Sequence, residues 1–135
     1  DKVIISNECT LEKFAKISSS TPIGLTVYGR IPLMLTRNCP VKNGKTCAEC
    51  KRESYITDRM GIKFPVRCQM GYSEILNSRP IYMADRMGEI PDCDIMFFNF
   101  TTESKYDVER VISAYENEEK STGEFTRGLL YRGVE

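Results

Sequence analysis

Four cysteines constrain this chain more than any other feature: Cys39, Cys47, Cys50 and Cys68, in the pattern C-x7-C-x2-C-x17-C. The two-residue gap between Cys47 and Cys50 lets both sulfurs reach one metal. Asn43-Gly44-Lys45 reads as a turn that brings Cys39 toward that pair. Cys68 closes a predicted hairpin strand, and the hairpin returns it to the base of the same loop. Four convergent thiolates suit zinc or an iron–sulfur cluster, and spacing alone does not choose between them. Disulfides need an oxidising compartment, and nothing in the sequence implies secretion. A thioredoxin-like C-x-x-C sits at a strand-to-helix turn, whereas this one lies in an irregular loop with two further cysteines. Cys9 and Cys93 read as packed thiols, small and buried.

The chain has no His. A Ser-His or Cys-His catalytic pair is therefore excluded within these 135 residues, as is any zinc site that uses imidazole. The formal charge is zero but unevenly spread. Residues 30–79 carry ten Lys/Arg against four Asp/Glu, and residues 80–135 carry six against twelve. The basic block holds the four-cysteine pattern, which points to an anionic partner. No run of about 18 apolar residues exists to cross a membrane. The opening Asp1-Lys2-Val3-Ile4-Ile5 has neither an initiator Met nor a basic leader. It is expected to be an excised piece of a longer, cytoplasmic protein.

The hydrophobic periods predict an α+β chain of one domain over residues 1–135, with short strands and hairpins, two main helices and a cysteine-rich loop within 36–68. Val3-Ile4-Ile5 reads as a buried strand. Leu11, Phe14, Ala15 and Ser18 give a helix capped from Ser6 or Asn7. Ile23–Tyr28 is a strand, and an apolar run follows at Ile31–Leu35. Tyr55-Ile56-Thr57 and Lys63–Arg67 flank Asp58-Arg59-Met60-Gly61 as a hairpin. Ile81-Tyr82-Met83 and Ile95–Phe98 read as short strands, the latter buried. Ser104 and Asp107 form a capping box for a helix whose stripe is Val108, Val111, Ile112 and Tyr115.

The segment Val27-Tyr28-Gly29-Arg30-Ile31-Pro32-Leu33-Met34-Leu35-Thr36-Arg37-Asn38-Cys39-Pro40 resembles the collagenase-like peptidase family U-32. Cys47-Ala48-Glu49-Cys50, Phe64-Pro65-Val66-Arg67-Cys68, Tyr72–Ser78 and the tail Phe125–Gly133 agree with that resemblance. It implies the C-terminal part of a larger, barrel-like β/α domain. It also implies that Cys39, Cys47, Cys50 and Cys68 hold a [4Fe–4S] cluster, with zinc as the substitute in the isolated piece. Members similar to it act in hydroxylating bases of ribosomal or transfer RNA or in quinone hydroxylation, while the family name records a peptidase assignment.

The expected function is thus a part of a cluster-dependent RNA-base hydroxylation factor. Arg30, Arg37, Lys42 and Arg52 are candidates for substrate or RNA contact, and Tyr28, Tyr55 and Phe64 for base stacking. The alternatives are a peptidase, for which the chain offers no His base, and a metal-stapled binding module without activity. The remainder of the full-length protein is an expected partner. No catalytic residue is assigned, and the isolated piece is expected to be inactive.

Overall fold

Branched and aromatic residues dominate Ile23–Gly29, and a run of that kind fits a pleated, buried surface. It forms the central strand of one of two sheets in a computed structural model, which describes residues 1–42, 46, 54–69 and 71–132. The element order is β1 (Val3–Ile4), α1 (Leu11–Phe14), β2 (Ile23–Gly29), β3 (Pro32–Thr36), β4 (Ser54–Thr57), β5 (Lys63–Gln69), β6 (Tyr72–Leu76), a 3-10 segment (Ala84–Glu89), β7 (Ile95–Asn99) and α2 (Lys105–Glu116). The fold is α+β, with two sheets and few helices. Contacts divide it into two compact units, residues 1–29 with 79–135 and residues 30–78.

The first unit is built on the parallel sheet β1-β2-β7. Its core gathers Phe14, Leu25, Val27, Ile81, Met83 and Leu130, all nearly inaccessible to solvent. Tyr115 of α2 is the polar centre of that core. Its hydroxyl donates to the Val27 carbonyl at 2.6 Å and accepts from the Met83 amide at 2.8 Å. Its ring meets Phe98 and Tyr82 edge-on, with centroids 4.7 and 5.5 Å apart. Burial pushes its phenol well above the usual tyrosine value.

The tail folds back onto this unit. Ile81 bridges both Gly29 and Thr126. Arg127 forms a two-pronged ion pair with Asp85, both arms at 2.8 Å, and also donates to the Tyr82 carbonyl. The Arg127 guanidinium lies 4.6 Å from the Phe125 ring centre. The tail residues Phe125 to Arg127 therefore act as a clasp.

The Ser104–Asp107 capping box forms as expected. The buried face of α2 is Val111, Ala114 and Tyr115, while Ile112 is exposed. The buried stripe is therefore rotated from Ile112 toward Ala114. The first helix is also shorter than its period suggests. It is one turn, capped by Thr10, whose hydroxyl accepts from the Lys13 amide at 3.2 Å, and not from Ser6 or Asn7. Val3 and Ile4 of β1 and Met96 and Phe97 of β7 are exposed, so neither strand is buried as expected. Ile81-Tyr82-Met83 is not a strand. Ile81 alone makes bridges, and Met83 leads into the 3-10 segment.

The second unit is an antiparallel sheet in the order β3-β6-β5-β4. The β4–β5 hairpin forms where the polar linker predicts it. Asp58 Oδ1 accepts from the amides of Met60 and Ile62, at 2.8 and 2.9 Å. Gly61 takes φ +82, a conformation glycine adopts without strain. The unit closes on itself at its base: the Asn77 amide donates to the Ile31 carbonyl at 2.9 Å. The Arg30 guanidinium donates to the Asn77 carbonyl at 2.9 Å and to that of Ser78.

Candidate functional site

Register shows which residues share an end of the second sheet. Ser73 of β6 pairs with Thr36 of β3 on one side and with Cys68 of β5 on the other. Two strand spacings thus separate Thr36 from Cys68, about 10 Å. Both β3 and β5 run antiparallel to β6, so they end at the same edge. Cys39 follows three residues after Thr36, and Cys68 lies within the last turn of pleat of β5. Ser54, the first residue of β4, pairs with Val66 near this edge. The chain therefore re-enters the sheet beside Cys68.

Local chemistry at this edge is specific. Cys39 is half-buried and Cys68 is exposed. The Ser73 hydroxyl is buried, and its oxygen lies 3.5 Å from the Cys68 sulfur. A hydroxyl at a ligand sulfur is the kind of outer contact that orients a thiolate and tunes a bound metal. The Lys42 amide donates to the Cys39 carbonyl at 3.3 Å, forming a turn in which Lys42 is exposed. Cys47, Cys50 and Arg52 lie outside the described residues. Among the described residues, no group of three or more Cys, Asp or Glu side chains is placed to hold a metal.

The remaining candidates separate. Arg37 is exposed at the cysteine edge, with its guanidinium 5.8 Å from the Tyr72 ring centre. Arg30 lies at the opposite end, where its guanidinium serves backbone carbonyls. Tyr28 is buried in the first unit, against Phe100 and Tyr115, and is unavailable for stacking. Phe64 is half-buried on the face that carries Val66, whereas Tyr55 is exposed on the other face. Cys9 and Cys93 are half-buried, and burial pushes the Cys93 thiol up.

Two residues escape the sequence reading, Ser73 and Tyr72. Both belong to β6, whose signal was a turn glycine, Gly71 at φ +85, ahead of the run Tyr72–Leu76. Comparison with known protein families, curated proteins and solved structures finds no significant match to this chain.

Proposed function

We propose that this chain is the C-terminal part of a cytoplasmic protein of the collagenase-like peptidase family U-32, completing a barrel-like β/α domain. It carries a cysteine-held [4Fe–4S] centre and takes part in hydroxylating bases of ribosomal or transfer RNA. The observation that supports this reading best is the shared edge of the second sheet, where β3 leads to Cys39, β5 carries Cys68 and β4 begins. The donor set fits: soft thiolates suit an iron–sulfur cluster, and the Ser73 hydroxyl supplies an outer contact. Cys39, Cys47, Cys50 and Cys68 would hold the cluster, which supplies one-electron redox chemistry when bound. Arg37 and Lys42 at the same edge supply positive charge for an anionic substrate, and Arg52 belongs to the same basic block.

Anaerobic purification tests the reading. A brown protein with iron and acid-labile sulfide in the proportion of a four-iron cluster is expected, with both lost in Cys39→Ser and Cys68→Ser. Iron content unchanged by those two substitutions would sink it. A colourless chain that binds one zinc and no RNA would favour the metal-stapled binding module instead.

A further inference from the structure

Side chains on the two faces of the second sheet differ in kind. Val66, Ser73 and Ile75 mark the buried face. The alternate positions give the opposite face: Lys63, Pro65 and Arg67 of β5, Tyr55 of β4, and Tyr72, Glu74 and Leu76 of β6, of which Leu76 at the strand end is buried. Tyr55 is 53% exposed and Tyr72 is 41% exposed. Each ring has a cation over one of its faces, so a base would stack on the other. The Lys63 ammonium lies 4.5 Å from the Tyr55 ring centre, and the Arg37 guanidinium lies 5.8 Å from that of Tyr72. Between them, Arg67 pairs with Glu74 at 2.6 Å, which neutralises that carboxylate.

We infer that this face is a stacking platform for single-stranded RNA, with Tyr55 and Tyr72 each taking one base. The inference rests on the RNA partner proposed above and names the surface that holds it. Exposed aromatic rings offer planar surfaces to any base, and flanking cations offer charge to the phosphates. Strand spacing and rise put the two tyrosines roughly 16 Å apart, so they engage separate nucleotides of one strand. A duplex hides its base faces inside the stack and gains only the phosphate contacts. Charge complementarity favours this occupant, because the unit carries nine Lys/Arg against four Asp/Glu.

Fluorescence anisotropy of a short labelled oligouridylate, titrated with the full chain, tests the platform. Tyr55→Ala and Tyr72→Ala are each expected to weaken binding on the order of tenfold, and Tyr72→Phe to keep it. Both tyrosines are solvent-facing, so circular dichroism of the variants should match the parent. The same sequence annealed into a duplex is expected to bind more weakly. If the parent binds the oligonucleotide and the double alanine variant binds it equally well, the platform is wrong while the RNA reading stands. Equal affinity for single strand and duplex also overturns the platform. A parent chain with no affinity for the oligonucleotide overturns both.

Discussion

The first unit buries a cluster of tyrosines, whereas the second displays its tyrosines on a sheet face. Tyr28, Tyr82 and Tyr115 are buried together in the first, whereas Tyr55 and Tyr72 stand exposed in the second. The first carries ten Lys/Arg against fifteen Asp/Glu, and the second nine against four. Among the described residues, the buried hydrophobic side chains of the second unit are Val66, Ile75 and Leu76 alone. So small a core supplies little burial energy. The contrast teaches that packing suffices for the first unit, while the second needs the cysteine-held centre proposed above to make up for its small core.

Loss of the four cysteines tests that contrast with the largest effect. Replacing Cys39, Cys47, Cys50 and Cys68 by Ser should cost several kcal/mol in the second unit. Hydrogen exchange resolved by segment should show lost protection in 54–76 and unchanged protection around Val27 and Tyr115. Uniform loss across both units would erase the distinction. Next comes the clasp of the first unit. Arg127→Ala strands a half-buried Asp85 and should cost about 1–2 kcal/mol, read from urea unfolding.

The same pair makes a pH prediction. Hydrogen bonding to Arg127 holds the Asp85 carboxyl below its ordinary value. A depressed carboxylate contributes fully above its unfolded pKa, about 4, and loses that contribution as pH falls through the folded value. The urea midpoint should therefore drop on acidification below about pH 4. Arg127→Ala should flatten that drop. A parent profile no steeper than the variant's would remove the clasp from the account.

Comparable or smaller effects sharpen the picture. Tyr115→Phe leaves the Val27 carbonyl and the Met83 amide without their buried partner and should cost about 2 kcal/mol. Ser104→Ala removes an N-cap on the same helix and should cost about 1 kcal/mol. Neither should alter the metal content or the RNA affinity proposed for the other unit.

Local signals in the sequence were reliable where one short-range interaction decides the outcome. The capping box at Ser104 and the Asp58–Gly61 turn are of this kind, since their partners lie within four residues. Burial was harder to read. Hydrophobic runs at Val3-Ile4 and Ile95–Phe98 look like core, yet a strand is buried only if both faces are covered, which composition does not reveal. β6 is hidden in the sequence for the reverse reason. Ser73 is polar in sequence and buried in the fold because its register seats it between Thr36 and Cys68. The cysteine spacing pointed to convergence. The common edge of β3 and β5 came from pairing across the sheet, a non-local property.

Gly29 and Ile81 exchange backbone hydrogen bonds at 2.8 and 3.3 Å across the entire second unit. A Cβ at Gly29, where φ is +125, would strike the Asn99 backbone, so this junction admits only glycine without rearrangement. Ordinarily, joining two points so far apart in sequence carries the entropy of closing a long loop. Here Arg30 and Ile31 already hold Asn77 and Ser78, so the intervening chain is short-circuited at its neck. The effective loop shrinks to a few residues, a saving of about 2 kcal/mol. Residues 30–78 thus behave as a cassette spliced into a host. If the cassette zips first, the host folds with a contact order far lower than its residue numbers imply.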